Sequence, residues 1–408
     1  MHIRIAVAAL AWASAATATP LTFDQALDRA RATAPSLAGK ALGSDAARSA
    51  ARSAGALPDP KLEFGFTGFP VSGPYAGHPE RDDFSTIRVG IEQDVPNRAK
   101  RSARTGRAEA DIAASDAARL GEARTVRLGA ALAWVDLYFA ARRLTAIDAI
   151  RASIVLLIRT TPARLASGSA RPAQTTEPVQ LLAAFDDRRA ELVAAAAKAR
   201  AVLMRWTGDT TPDVAGLPPT TGIDALALRA GLDRSPEVRV ADAAAGQADA
   251  DARLARAEKR PDWSWQVGYD RRNPRFGDML GATIKVGLPL FAKNRQDPLI
   301  LARELDAQRA RLDAQATARE FTAAFESDLA DHTMHHERLE RARATLLPLA
   351  ERRSALETAS YGAGSSGLAD ALAARTAVAE ARLELLTREA DVVRDAVRIN
   401  LTYGSDAR

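Results

Sequence analysis

Four short segments of the chain alternate apolar and polar residues, and they occur as two pairs. The first pair falls at about 61–69 and 84–95, and the second at about 262–270 and 280–291. Alternation with a period of two predicts β-strands that have one apolar and one polar face. Most of the remaining chain is rich in alanine and charged residues and has a helical period. We therefore predict a mainly α-helical chain that carries a small β part made of two hairpins.

The two faces of the predicted strands differ in chemistry. Aromatic side chains are prominent on the apolar face, at Phe64, Phe66, Trp263 and Trp265. Charged side chains occupy the polar face, which we expect to line water, at Glu63, Arg88, Glu92 and Lys285. This alternation is typical of strands in outer-membrane barrels. A soluble four-stranded sheet with one solvated face has the same pattern, so this alternative stays open here.

Strand number then constrains the assembly. Closed outer-membrane barrels start at about eight strands, and open strand edges are not tolerated in lipid. Four membrane strands therefore require several chains to share one barrel, and a cyclic trimer would supply twelve. The polar face would then line an aqueous conduit, which the long helices would continue on the periplasmic side.

The chain is organised as a duplicated helix, β-hairpin and long-helix unit. Residues 19–208 form the first repeat and 222–404 the second, because helix starts, proline breakers, strands and final glycines follow the same order in both. The segment 209–221 is the predicted linker, and 405–408 is a short tail.

Two helical runs, at 98–164 and 295–358, contain few helix breakers. Each would reach about 95–100 Å if straight, so they must pack side by side in an elongated bundle or coiled coil. An ordinary long coiled coil would explain these helices but not the strands.

Residues 1–18 have the pattern of an export signal: Arg4, then a short apolar run, then a small-residue cleavage site at Ala16-Thr17-Ala18. No later stretch has the roughly 20 apolar residues of a transmembrane helix. The chain contains no cysteine, which excludes disulfides, thiolate metal sites and N-terminal lipidation.

Charge and motif content exclude two function classes. The 56 basic and 51 acidic residues are interspersed, whereas a nucleic-acid-binding protein concentrates its basic charge, so no nucleic-acid partner is expected. No catalytic constellation or glycine-rich phosphate-binding fingerprint is evident, so we predict neither an enzyme nor a bound cofactor.

Several short motifs recur in the same order in both repeats. They are Leu-Thr-Phe-Asp-Gln-Ala-Leu at 21–27, Ala-Leu-Pro-Asp-Pro at 56–60, the segment 92–101 with its Asp-Val-Pro-Asn-Arg core, and the similar segment 286–295. In this pattern the chain resembles the TolC-like outer-membrane efflux proteins over about residues 20–404. The motifs at 57–60 and 93–98 are most similar to the branch for heavy-metal efflux, of the cobalt-zinc-cadmium and copper type.

This resemblance implies a homotrimer in which a twelve-stranded β-barrel in outer-membrane lipid continues into a twelve-helix periplasmic α-barrel. It also implies docking to a periplasmic adaptor, or membrane fusion, protein and to an inner-membrane proton-driven pump of the resistance-nodulation-division type. Without a lipid anchor, attachment to the outer membrane would depend on the barrel. The same duct could instead serve drugs or secreted products. From a different class, a soluble periplasmic coiled-coil scaffold is the alternative.

A histidine cluster and two turns are the candidate specificity sites. His332 and His336 are spaced to share one face of a helix and could bind a metal ion together, although a polar patch between helices is the simpler interpretation. The periplasmic tips are predicted at 168–175 and 362–370. Candidate gate or adaptor-contact residues there are Arg171, Gly362, Gly364, Gly367 and Asp370.

Overall fold

The computed structural model describes residues 20–166 and 176–404. The predicted signal segment, the tip at 168–175 with Arg171, and the tail at 405–408 lie outside these residues. The helices span Phe23–Thr33 (α1), Pro35–Ala51 (α2), Arg98–Ala166 (α3), Glu177–Thr207 (α4), Ala225–Arg229 (α5), Pro236–Ala257 (α6), Gln296–Arg341 (α7), Leu347–Gly362 (α8) and Leu368–Tyr403 (α9). The strands span Lys61–Thr67 (β1), Thr86–Val95 (β2), Trp263–Arg272 (β3) and Met279–Val286 (β4).

Backbone chemistry explains where two strands stop before their predicted ends. Strand β1 ends at Thr67 because Gly68 takes a left-handed conformation, with φ of 78°. Strand β4 ends at Val286, three residues before Pro289, which has no N–H to donate to a strand neighbour. Both predicted hairpins are therefore present, with β1 and β4 shorter than the sequence pattern suggests.

The long helical run of the second repeat contains one irregularity. A turn with π-helical hydrogen bonding, Ala342–Leu346, separates α7 from α8. Pro348 follows at the start of α8. A proline ring clashes with the carbonyl group four residues earlier and removes one donor, and a π turn accommodates this without ending the helix.

The two hairpins join into one antiparallel sheet of order β1-β2-β3-β4. Its central pairing joins the repeats, from Thr86 opposite Arg272 to Val95 opposite Trp263. The sheet has a helix end, where Val95 and Trp263 lie next to α3 and α6 in the chain, and a loop end, which carries the connections 68–85 and 273–278.

The described residues divide into two units. The strand unit comprises residues 36–122 and 232–323, so it contains the sheet, α6 and the first parts of α3 and α7. Polar contacts help to link its helices: Ser44 and Arg48 of α2 hydrogen-bond to Asp116 of α3. The Ser44 hydroxyl, with help from Arg48, holds the pKa of the Asp116 carboxyl below its usual value.

One polar junction attaches the sheet of the strand unit to its helices. The backbone N–H of Asn97 donates to Asp262 Oδ1 at 2.7 Å, and Lys100 Nζ lies 2.9 Å from Asp262 Oδ2. The Asn97 side chain also donates to the carbonyl of Arg260. The segment 92–101 of the first repeat is therefore bonded to the residues that precede β3 in the second repeat.

The helical unit comprises the described parts of 20–35, 123–231 and 324–404 and has an aromatic core. Trp134 is fully buried, stacks on Tyr138 and donates from Nε1 to the Leu21 carbonyl at 2.8 Å. Helices α3 and α4 approach closely here. The Trp206 ring of α4 lies so near to Gly129 of α3 that a Cβ at that position would be only 2.3 Å from it. Leu21 also forms a parallel bridge with Val214, so part of the predicted linker is tied to this core.

Across residues 20–166 and 176–404, no helix combines the length and the apolar character needed to cross a membrane.

Candidate functional site

The apolar face of the sheet is exposed to an extent that is unusual for a soluble protein. Leu62 and Phe64 on β1 are each 77% exposed, and Ile284 on β4 is 71% exposed. On β3 the apolar side chains are exposed and the alternating polar positions are buried. A contiguous apolar surface of this kind marks a site of contact with lipid or with another protein.

The polar face, by contrast, is internally paired. Arg88 donates to both oxygens of Asp270, from Nε at 2.7 Å and from Nη2 at 2.9 Å. Lys285 Nζ lies 3.0 Å from Glu92 Oε2, and the Gln266 amide donates to Glu63. All four predicted polar-face residues, Glu63, Arg88, Glu92 and Lys285, therefore take part in cross-strand contacts.

Sequence reasoning missed the partners that complete this network. Asp270 is almost fully buried beneath Arg88, and Asp94 accepts from Lys61 Nζ at 2.6 Å. The sequence signal that could have indicated these partners is the equal number of acidic and basic residues at positions on the polar face of the strands. Four basic residues, Lys61, Arg88, Arg272 and Lys285, face four acidic ones, Glu63, Glu92, Asp94 and Asp270. The polar face therefore carries no net charge.

A row of glycines runs across the polar face. Gly90, Gly268 and Gly281 are directly opposite one another on β2, β3 and β4. The stem of Arg88 lies along the sheet, about 3.7 Å from the position of a Cβ at Gly268, which is an ordinary van der Waals distance.

The sheet is open at both sides. Among the described residues, β1 pairs only with β2, and β4 pairs only with β3. Each outer strand therefore presents a row of unpaired backbone donors and acceptors, which are the groups that pair readily with a further strand.

The described tip lies between α8 and α9. Helix α8 ends at Gly362, and Gly364 takes a left-handed conformation with φ of 77°. The Gly367 N–H donates to Asp370 Oδ2 at 3.2 Å, so Asp370 caps the start of α9. A gate or adaptor-contact role for these residues stays a prediction, as it does for Arg171.

The predicted histidine pair lies where α7 packs against α9. The His332 and His336 rings are 6.3 Å apart between centroids, and His332 is buried with no hydrogen-bond partner at Nδ1. His335, between them in sequence, contacts Asp395 Oδ2 at 2.6 Å. The described part of the chain holds no group of three or more histidine or acidic residues placed to bind one metal ion. Metal binding by the pair stays a prediction.

The second repeat carries the sequence similarity to a known family. Residues 227–405 match the family model described as outer membrane efflux protein. Over this repeat the chain is similar to the TolC-like outer membrane efflux proteins. The match covers the second repeat, and the first repeat contributes the same succession of helix, hairpin and long helix to the fold.

Solved structures show that the efflux protein fold extends over nearly the whole chain. A membrane protein from Pseudomonas aeruginosa superimposes with a TM-score of 0.81 at 17% identity, covering 94% of this chain and 90% of that one. CusC gives 0.80 at 14% identity, with coverages of 94% and 92%. The CmeC outer membrane channel of Campylobacter jejuni gives 0.78 at 14% identity, with coverages of 94% and 85%. No curated protein matches the sequence significantly.

Burial alters the pKa of His332. Desolvation lowers the pKa of His332 below its ordinary value, the neighbouring His336 and His335 act in the same direction, and Asp395 opposes them. Arg398 of α9 also lies near this group, 3.5 Å from Asp395. The folded environment of His332 therefore favours its neutral form relative to the unfolded chain.

This burial predicts a pH dependence of stability. Below the ordinary histidine pKa of 6.5, the unfolded chain binds a proton at His332 more readily than the folded chain does, so acid favours unfolding. We expect the melting temperature of the wild type to fall more steeply between about pH 7.5 and 5.5 than that of a His332→Gln variant. The exposed loop residue His78 provides the control, because His78→Gln should keep the wild-type slope. Identical slopes in all three proteins would rule out a titrating His332.

Proposed function

We propose that the chain is one subunit of a trimeric outer-membrane channel that conducts cargo out of the cell. The observation that carries this proposal is the sheet: it has an exposed apolar face, an internally paired polar face and two unpaired edges. Edges in lipid must be closed, and three copies supply the twelve strands of a closed barrel. The apolar face then contacts lipid and the polar face contacts water.

The helices fit the remainder of such an assembly. In this proposal α3, α4, α7, α8 and α9 of three copies form the twelve-helix periplasmic barrel, with α7 and α8 counted as one long helix. The channel works with a periplasmic adaptor and an inner-membrane pump of the resistance-nodulation-division type. The match of residues 227–405 to the outer membrane efflux protein family supports both partners and the outer-membrane location.

For cargo we propose heavy-metal cations. The motifs at 57–60 and 93–98 favour this branch, and the His332–His336 pair offers imidazole nitrogens, which suit zinc and copper. The neutral balance of the polar face imposes no strong selection by charge, so the same channel architecture is compatible with drugs or secreted products.

The two faces can be tested with neighbouring residues. The chain has no cysteine, so a single introduced thiol is unique. Thr283 and Ile284 lie next to each other on β4, both are exposed in the single chain, and they lie on opposite faces. In outer-membrane vesicles we expect a charged, membrane-impermeant maleimide to label Thr283→Cys, while Ile284→Cys in lipid stays largely unlabelled.

The control is the same pair of variants unfolded in detergent and urea, where both should label fully. Equal labelling of both positions in the native protein, or release of the protein from membranes without detergent, would contradict the channel and favour the periplasmic scaffold.

The class of cargo can be tested by measuring the tolerance of a gene-deletion strain to metals and to drugs. Deleting the gene should lower the highest tolerated concentration of cobalt, zinc, cadmium or copper salts and leave drug tolerance unchanged. When the deletion strain is complemented with the His332→Ala, His336→Ala double variant at normal protein level, its metal tolerance should differ from that of the strain complemented with the wild type. His78→Ala is the control. Loss of drug tolerance alone would contradict the metal assignment. Unchanged metal tolerance in the double variant would remove the histidine pair from it.

A further inference from the structure

The loop end of the sheet carries two arginines that the fold leaves without partners. Arg271 is the next-to-last residue of β3, and Arg275 lies in the turn that follows. Both are exposed. Within residues 20–166 and 176–404, neither guanidinium group hydrogen-bonds to a protein group or pairs with a carboxylate, although most other strand charges are paired.

The turn around these arginines is held together by its own hydrogen bonds. Asp278 accepts from the Tyr269 hydroxyl and from the Arg272 backbone N–H. The Arg272 guanidinium donates to the carbonyls of Gly277 and Phe276, at 2.8 and 3.0 Å. The local acidic side chains are thus engaged elsewhere: Asp270, next to Arg271 in the chain, pairs with Arg88, and Asp278 bonds to Tyr269 and Arg272.

Position along the strand places Arg271 at the boundary of the apolar face. It follows Trp263, Trp265, Val267 and Tyr269 on the same side of β3, and it is opposite Ile87 of β2. Arg271 lies eight positions after Trp263 in the strand. This step corresponds to about 26 Å along a strand and to about 20 Å across the membrane at a typical barrel tilt. The apolar band of such barrels is about 25 Å tall and ends in aromatic girdles.

Aromatic side chains mark this boundary in the structure. Tyr269 is exposed beside Arg271, and Phe276 is exposed beside Arg275, whose guanidinium carbon lies 5.9 Å from the Phe276 ring centre. An arginine at this level keeps its stem on apolar surface while its charged group reaches the lipid headgroups. Guanidinium groups bind phosphate through two parallel hydrogen bonds.

We propose that Arg271 and Arg275 bind the phosphate groups of an anionic lipid in the outer leaflet, a phosphorylated glycolipid of the lipid A class. The inference rests on the proposed channel, which places the loop end at the outer surface. The first loop carries acids as well, but Glu80 contacts His78 and Asp82 caps Phe84 and Ser85, so these two are engaged within that loop. Asp83 is the remaining exposed acid there.

The test measures binding of lipid A carrying both phosphates to the purified full-length protein in a neutral detergent. The readout is the rise in melting temperature as lipid is added. We expect the Arg271→Gln, Arg275→Gln variant to need at least about tenfold more lipid A for half of the effect, because each cation near anionic lipid contributes on the order of 1 kcal/mol.

Three controls make the result specific. Dephosphorylated lipid A should stabilise the wild type only weakly. A double variant on α8, Arg352→Gln and Arg353→Gln, removes the same charge from two exposed residues. It should bind lipid A as the wild type does. Without lipid, the Arg271, Arg275 variant should melt at the wild-type temperature, which shows that it folds.

Equal responses of wild type and variant to phosphorylated lipid A would overturn the proposal, as would an equal response of the wild type to the dephosphorylated lipid. The detergent assay does not depend on conduction or on cargo. Failure here leaves the channel intact if Thr283→Cys and Ile284→Cys label differently. If those two positions label alike, the channel itself is contradicted.

Discussion

The pairing of β2 with β3 is the interaction on which the rest of the structure depends. It joins a hairpin from each repeat in a single register, from Thr86 opposite Arg272 to Val95 opposite Trp263. Without it, each repeat would hold an isolated two-stranded hairpin, which is at best marginally stable in water. With it, the described residues form one four-stranded sheet that is complete in the centre and unpaired at both edges.

Polar contacts fix this register. A shift of one residue would move every polar-face side chain to the apolar face and would break the contacts that Arg88 and Lys285 make across strands. At the helix end, Asp262 of the second repeat holds the backbone of Asn97 from the first. Polar side chains of the sheet and of its helix end therefore join the two repeats and the helices that follow them.

The sequence alone was sufficient for local features and insufficient for partners distant in sequence. Period-two alternation predicted the strands and their faces, because each face depends only on residues two apart. It could not predict that Arg88 pairs with Asp270, because this needs the register between two hairpins. Likewise, spacing placed His332 and His336 on one helix face, but the burial of His332 and the contact of His335 depend on how α9 packs.

The central claim is that the open edges β1 and β4 of different copies close one barrel of three chains. Cysteines introduced on β1 (at Leu62, Phe64 or Phe66) and on β4 (at Leu280, Ala282 or Ile284) cannot join within one chain. Their strands are three spacings apart, about 14 Å, and a disulfide needs Cα atoms within about 7 Å. Oxidation of the nine double variants should give, in at least one register, a covalent species of three chains and nothing larger. A dimer as the largest product, or monomers in every register, would contradict the account.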